Sequence, residues 1–335
     1  MMEAPSPANL TAIHHFYHTH GFVHLPGLIP ADEVAVLHTQ LDELVAAERR
    51  SVSPYDPSRS ERALLLDAFV TDADYARVDQ REDLAFHWDA TTTSSGHVLR
   101  SINNLVYSEV GARLARDERI VDAVAAALGD DALGSSGTPL VRFFNSRCFV
   151  KPAGGAGTAW HRDIRFFNMV DRADGGARTA INALLLLDTQ TAETGALRVV
   201  PGSHTNKTRR GELDLVEEFG AEYAEAQART AGGGQGERVA PPIPGEFSLA
   251  SLPVGTLVLV DHFTLHGSSA NVAVDSRRRM LSLGFAGPHV HTIDPLAPDA
   301  PPAPARNIAV RGAREPGEVA DYLVLPSLGR LRDEL

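Results

Sequence analysis

Cysteine is almost absent from this chain: Cys148 is the only one among 335 residues. The sequence therefore excludes an internal disulfide and a zinc site built from several cysteines. Cys148 lies in the apolar run VRFFNSRCFV, which is typical of a strand, and we predict that it is a core residue.

Long apolar runs are also missing. No stretch approaches the roughly eighteen residues that a membrane-spanning helix needs, and the opening MMEAPSPANL lacks a basic stretch followed by an apolar core. Hydrophobic residues nevertheless make up 43% of the chain, which is ample for a packed core. The sequence therefore predicts a soluble, cytoplasmic protein with no membrane partner.

Basic residues are outnumbered, with 31 Lys and Arg against 43 Asp and Glu and a net charge of -12. Nucleic-acid-binding surfaces concentrate cations on one face, so this balance argues against such a partner. The short cluster 277–279, which is Arg-Arg-Arg, is too small to form that surface. We expect a small-molecule substrate, and the sequence does not indicate an oligomeric state.

Two textures divide what we interpret as a single domain spanning 1–335. Residues 1–139 are predicted to be mainly helical support, because apolar residues recur at helical spacing in 31–50 and again from Leu114 to Leu128, before Gly129. Short apolar runs in 140–290 predict antiparallel strands. The fold class expected is mainly β with flanking helices, around a double-stranded β-helix, which is a cupin-like jelly roll.

Two segments interrupt or follow the predicted jelly-roll core. Residues 205–250 are polar and contain a glycine run, which is typical of an active-site lid or an insertion. Residues 291–335 form a C-terminal extension that begins with a stretch rich in Pro and Ala.

The segment TAWHRDIRFF carries a candidate metal site. His161 and Asp163 are two residues apart, so on a strand both side chains would leave the same face. His266 follows another apolar run about a hundred residues later. Two histidines and one carboxylate can form the facial triad that leaves coordination positions open on Fe(II).

A second H-x-D sequence, formed by His87 and Asp89, competes for the same role. It precedes the strand series and has no strand with an arginine after it at comparable spacing, so we favour the later copy. The N-terminal histidines offer a further alternative, because His14 and His18 are one helical turn apart. A solvated helix face is the simpler interpretation of that pair.

An arginine after His266 favours a dicarboxylate cosubstrate. Arg277 lies eleven residues after His266, and a guanidinium can grip a carboxylate in a bidentate fork. By strand alternation Arg279 would face the same way and is the second candidate, whereas Arg278 would face the opposite side.

These motifs together resemble the phytanoyl-CoA dioxygenase family of Fe(II)/2-oxoglutarate oxygenases, which includes ectoine hydroxylase. The opening FYHTHGFVHLPGLIPADEV, the segment FVKPAGGAGTAWHRD and the segment TGALRVVPGSH each resemble family sequences, and they are spread over most of 16–285. The order of several motifs is more specific than any one of them.

The resemblance implies roles for individual residues. His161, Asp163 and His266 match the metal ligands, and Arg277 matches the arginine that binds the distal carboxylate of 2-oxoglutarate. Three further positions match residues near the cosubstrate in relatives: Ser268, Thr158 and Asn145.

Substrate contacts are a separate expectation. Phe167 and Asn182 could reach a substrate cavity. Lys151 could approach the cosubstrate or the substrate, or could equally point to solvent at a strand end. Trp160 is out of phase with the metal-facing positions and is expected to pack outward.

The function implied is hydroxylation of an unactivated carbon in a small metabolite or a natural-product intermediate, with Fe(II), 2-oxoglutarate and O2, and with release of succinate and CO2. Asp163 favours hydroxylation, since family members that halogenate have a small residue there. Desaturation, cyclisation and epimerisation remain alternatives within the family. A non-catalytic jelly-roll protein that binds a metal or ligand is the alternative from another class.

Overall fold

Two antiparallel sheets share an apolar interior in the computed structural model. The structure describes residues 2–50, 75–80, 84–93, 96–133, 137, 139–165, 169–171, 180–205, 242–288, 290–292, 303–304 and 308–311. The described helices are α1 (Leu10–His20), α2 (Ala31–Arg50), α3 (Glu109–Ala115) and α4 (Glu118–Leu128). The described strands are β1 (Phe22–Leu25), β2 (Tyr75–Gln80), β3 (Ala85–Thr93), β4 (Gly96–Asn103), β5 (Val141–Lys151), β6 (Thr158–His161), β7 (Met169–Asp171), β8 (Ala180–Leu186), β9 (Leu197–Val199), β10 (Phe247–Ser248), β11 (Leu257–Asp261), β12 (His266–Ser268), β13 (Arg278–Ala286), β14 (Val290–Thr292), β15 (Ala303–Pro304) and β16 (Ile308–Arg311).

The larger sheet has the strand order β1-β11-β8-β13-β5-β4-β3-β2, with β16 beside β5, and the smaller sheet has the order β10-β9-β12-β6. Neighbouring strands in both sheets run antiparallel. A third sheet contains β15, β14 and β7. This arrangement confirms the predicted jelly-roll class.

Both faces of the larger sheet are buried. On β13, Leu281 and Leu283 alternate with Met280: the leucines join the core that includes the helices, whereas Met280 enters the interior between the sheets. Leu184 of β8 and Val199 of β9 meet in that same interior. Burial on both faces explains why these strands consist of nearly continuous apolar runs.

The helices follow the sequence prediction with one difference. The helix expected over 31–50 is α2, and the second helical pattern stops at Gly129 as expected, with a φ of 56°. That pattern is nevertheless divided between two helices. The break comes where α3 ends at Ala115 and the side chain of Asp117 caps α4 by accepting a hydrogen bond from Arg119 N.

The expectation of mainly helical structure in 1–139 is wrong for Tyr75–Gln80, Ala85–Thr93 and Gly96–Asn103, which form β2, β3 and β4 and extend the larger sheet. The proposed insertion also contributes to a sheet, because β10 pairs with β9. The interior of that insertion, 206–241, lies outside the described residues, as does most of the C-terminal extension. None of the described helices has the length and apolar content that a bilayer crossing requires.

The turn between α1 and β1 is bonded to the loop that precedes His266. Gly21 ends α1 in the left-handed conformation, with a φ of 76°. Its carbonyl accepts from Asp261 N at 2.9 Å and from Thr264 Oγ1 at 2.6 Å, while Tyr17 donates its hydroxyl to Asp261 Oδ2 at 3.2 Å. The N-terminal elements therefore support the loop that leads into β12.

Candidate metal centre and cosubstrate pocket

Three side chains from two segments converge at the edge of the smaller sheet. His161 ends β6 and lies directly across from His266, the first residue of β12. Asp163 opens a short 3-10 turn just after β6. His161 Nε2 is 3.4 Å from Asp163 Oδ1, and His266 Nε2 is 3.6 Å from Asp163 Oδ2. Within the part of the chain that the structure describes, this is the one group of three or more His, Cys, Asp or Glu residues whose potential ligand atoms all lie within 4.8 Å of one another.

Backbone carbonyls fix the orientation of both imidazoles. His161 Nδ1 lies 2.8 Å from Ala159 O, and His266 Nδ1 lies 2.9 Å from Thr264 O. Because a carbonyl can only accept, each Nδ1 carries the hydrogen and each Nε2 presents a lone pair to the centre. Hydrogen bonds of this kind set the tautomer of metal-binding histidines.

The charge state of the site also suits a metal ion. Burial opposes ionisation of Asp163, but His266 and His161 outweigh burial and hold the pKa of the carboxyl below its usual range. Burial lowers the pKa of His266 to about 4, despite the opposing effect of Asp163. At neutral pH the site therefore offers an anionic oxygen ligand together with a neutral imidazole.

Asn182, a predicted substrate residue, contacts the metal centre. Its Nδ2 donates to Asp163 Oδ2, and its side chain is buried on β8. Asn182 can therefore hold the carboxylate in place, which is a supporting role for a ligand. Leu184 and Leu186, which share its strand face, are core residues as predicted.

A second polar group lies farther along the same interior. Lys151 at the end of β5 donates from Nζ to Ser268 Oγ at 2.8 Å, and Arg278 lies across from Lys151 in the strand register. Arg278 is only 4% exposed; its Nη1 donates to Gln190 Oε1 at 3.1 Å, and its Nε has no hydrogen-bond partner among the described residues. Burial, followed by the charge of Arg278, lowers the pKa of Lys151 to about 6.

The expectation that Arg277 faces this interior is wrong. Arg277 precedes β13, is about half exposed, and pairs with Asp42 on α2 at 3.1 Å. Arg279 faces the same way, as alternation predicted, and donates to Asp42 at 2.8 Å. The inward arginine is Arg278, because its pairing with Lys151 sets the phase of alternation along β13.

Another cation extends the site toward β4. Arg147 of β5 shares the inward face with Lys151, since the two are four residues apart on one strand. Its Nε donates to Asn103 Oδ1 on β4, and its guanidinium carbon lies 5.1 Å from the centre of the Phe149 ring. Sequence reasoning missed Arg147, although its even spacing from Lys151 was a signal that could have found it.

The remaining predicted cosubstrate residues differ in their surroundings. Asn145 lies across from Gly284 in β13, and Gly284 pairs in turn with Asn182 in β8. This row of paired residues therefore ends at Asn182, which contacts the candidate metal centre. Thr158 is paired with Ser268 in the neighbouring strand, but its side chain is exposed. A cosubstrate role for Asn145 and Thr158 stays a prediction.

Several other predicted positions are placed elsewhere. Phe167 and the side chains of His87 and Asp89 lie outside the described residues. Trp160 is on the face opposite the metal ligands but is fully buried there, with the guanidinium carbon of Arg198 5.0 Å from its ring centre. Trp160 was expected to pack outward, and its complete burial corrects that expectation.

The model of the family described as "Phytanoyl-CoA dioxygenase (PhyH)" matches residues 17–279. The chain belongs to the phytanoyl-CoA dioxygenase family. The resemblance stated from the motifs is therefore confirmed, and the His161, Asp163 and His266 cluster lies within the matched residues.

Relatives in the phytanoyl-CoA dioxygenase family include a "Probable alpha-ketoglutarate-dependent hypophosphite dioxygenase" from Stutzerimonas stutzeri, 30% identical over 56% of this chain and 57% of that protein. The ectoine dioxygenase of Sphingopyxis alaskensis is 28% identical over 75% of this chain and 68% of that protein. The chain thus spans little more than half the length of the first of these relatives. Among solved structures, the chain is similar to the epimerase SnoN from nogalamycin biosynthesis, which is described as non-heme and alpha-ketoglutarate-dependent. The match covers 91% of this chain and 100% of the SnoN chain, with a TM-score of 0.53 and 21% identity. That similarity shows the shared fold.

Proposed function

We propose that this protein is an Fe(II)- and 2-oxoglutarate-dependent dioxygenase that hydroxylates an unactivated carbon of a small molecule and releases succinate and CO2. The observation that carries the proposal is the placement of two polar groups in one interior. The triad of His161, Asp163 and His266 stands at one end, and the buried cations Lys151 and Arg278 stand farther along.

The triad fits Fe(II) by its donor set. His161 and His266 present Nε2 lone pairs, and the ionised Asp163 presents an oxygen. These two imidazoles and one carboxylate would hold Fe(II) and leave coordination positions open for cosubstrate and O2. When bound together, Fe(II) and 2-oxoglutarate supply the oxidising power that inserts oxygen from O2 into a C–H bond.

The cation group fits the distal carboxylate of 2-oxoglutarate. Arg278 has a buried Nε without a hydrogen-bond partner among the described residues, while Gln190 orients its Nη1. Ser268 already accepts from Lys151 and can donate its own hydrogen to a carboxylate oxygen. These residues would bind and orient one end of the cosubstrate, which directs its other end toward the metal.

We also propose that the substrate is a small metabolite or a natural-product intermediate that carries an anionic group. Two relatives are named for hypophosphite and ectoine, which supports a small molecule here. Arg147 adds a cation on the inward face of β5. The hydrogen bond from its Nε to Asn103 Oδ1 fixes the direction in which its guanidinium group points. Replacing Arg147 with leucine should raise the KM for the substrate more than it lowers kcat.

The direct test is succinate release by the purified protein with Fe(II), 2-oxoglutarate and O2, first without substrate and then with candidate anionic metabolites. We expect slow release alone and faster release with a substrate. Anaerobic addition of 2-oxoglutarate to the Fe(II) protein should produce a visible charge-transfer band. Absence of both succinate and the band would reject the proposal.

The ligand assignment has its own matched pair. His161→Ala should abolish Fe(II) binding, because it removes one of the three donors. His87→Ala changes the competing H-x-D sequence and should leave Fe(II) binding intact. The opposite result would move the metal site to the earlier sequence.

A further inference from the structure

The three candidate ligands come from two chain segments whose relative position the sheet fixes only in part. His161 and His266 are held as a cross-strand pair, but the register between β6 and β12 shifts immediately afterwards. Asp163 lies beyond the end of β6 in a 3-10 turn. Its position relative to His266 therefore depends on contacts outside the strand ladder.

Those contacts come from the residues on either side of Asp163. Arg162, the central residue of the H-x-D sequence, is 3% exposed and donates from Nε to Phe263 O at 3.0 Å. Ile164 N donates to His262 O at 3.0 Å. Two adjacent carbonyls of the loop before His266 are thus bonded to the two residues that flank Asp163.

The receiving loop is itself well supported, so it can serve as a fixed reference. Phe263 is fully buried, and its N donates to Asp261 Oδ1 at 2.8 Å. His262 N donates to Ala180 O at 3.0 Å, which ties the loop to the start of β8. Phe263 also packs in one apolar cluster with Ile164.

We propose that Arg162 is a positioning residue for the metal centre. This inference rests on the proposed function. The Arg162 side chain bonds the turn that carries Asp163 to the loop that precedes His266, and so sets the distance between these two ligands. A buried arginine is a costly way to gain stability, because well-packed apolar residues often replace buried charges with no loss. Its role should therefore appear in metal affinity more clearly than in stability.

The experiment compares Arg162→Met with Arg142→Met. Arg142 is a matched control, since it is 2% exposed and its Nη1 donates at 2.8 Å to the backbone carbonyl of Pro288, which lies outside the segments that carry the three candidate ligands. Anaerobic titration with Fe(II), and with Co(II) as a spectroscopic substitute, gives the dissociation constants. Circular dichroism and thermal melting of the metal-free proteins report folding.

We expect Arg162→Met to weaken metal binding by about tenfold to a hundredfold, as loss of a group that orients ligands typically does. The Co(II) absorption bands should also change in position or intensity, because the ligand spacing changes. Arg142→Met should bind metal with wild-type affinity, whatever its effect on melting. Wild-type affinity in Arg162→Met would overturn the inference.

Arg162→Lys keeps the test decisive if the methionine variant does not fold. Lysine retains the charge but not the Nε donor position, so weaker metal binding in a folded lysine variant supports the inference and unchanged binding rejects it. If the wild-type protein binds neither metal, the proposed function fails together with this inference. If the wild type binds and all Arg162 variants match it, only the role of Arg162 is refuted.

Discussion

Replacing Arg278 with leucine should remove tight binding of 2-oxoglutarate, whereas the same replacement of Arg277 should not. The two residues are neighbours in sequence and have opposite surroundings. Arg278 is 4% exposed beside Lys151, and Arg277 is about half exposed beside Asp42. The pair therefore tests which arginine serves the cosubstrate.

The magnitude follows from burial. Truncating one partner of a buried, hydrogen-bonded charge pair costs about 2–5 kcal/mol, which corresponds to roughly thirtyfold to several thousandfold in the dissociation constant. Arg277 lies outside this interior, so its loss should leave cosubstrate affinity near the wild-type value; its exposed ion pair with Asp42 is worth about 0–1 kcal/mol of folding stability. Arg278→Lys should fall between, because lysine keeps the charge but cannot form the fork.

The assay is anaerobic titration of the Fe(II) protein with 2-oxoglutarate, followed by the charge-transfer band, with KM for 2-oxoglutarate as a second measure. Thermal melting of each variant checks that the fold is intact. A large loss in Arg277→Leu together with near wild-type affinity in Arg278→Leu would refute the assignment and restore Arg277 as the cosubstrate residue.

Three further results are expected. Because the pKa of Lys151 is lowered to about 6, its amine is largely neutral near pH 8, whereas a bound carboxylate favours the charged form. Binding of 2-oxoglutarate should therefore take up a proton, and the affinity for 2-oxoglutarate should fall as pH rises above about 6. Calorimetry in buffers of different ionisation enthalpy will measure the proton uptake. Asn182→Leu removes the donor to Asp163 and should weaken Fe(II) binding by about tenfold to a hundredfold, measured by metal titration. Gly21→Ala should lower the free energy of unfolding by about 2 kcal/mol or more in denaturant titration, because Gly21 has a φ of 76° and a Cβ there would overlap the Thr264 side chain.

The cluster of candidate metal ligands could be predicted from sequence, although part of the geometric reasoning was wrong. His161 and Asp163 were expected to share one strand face, but β6 ends at His161 and Asp163 belongs to the following turn. The spacing still brings both side chains to one point, because the turn carries the carboxylate toward His266. The residue types and order identified the site, and the local backbone could not be inferred from them.

The inward-facing arginine could not be predicted from sequence, because strand alternation gives a period but not a phase. Arg277 and Arg279 do share one side, as expected, yet the pairing of Arg278 with Lys151 decides which side faces inward. That pairing joins strands more than a hundred residues apart. Strands β2, β3 and β4 were missed for a related reason. A polar stretch such as ATTT at 90–93 gives little periodic signal and becomes part of a strand through pairing, since β3 pairs with β4 and β4 pairs with β5.

Cys148 lies on β5 but faces the core that includes the helices, on the other side of the sheet from Lys151. Burial raises the pKa of its thiol to about 12, so the thiolate that reacts with alkylating reagents is essentially unpopulated. We therefore expect that Cys148 in the folded protein does not react with maleimide labels. A cysteine introduced at exposed Val274 would be the one readily labelled thiol, which makes the chain suited to attaching a single fluorophore or spin label without first removing a native cysteine.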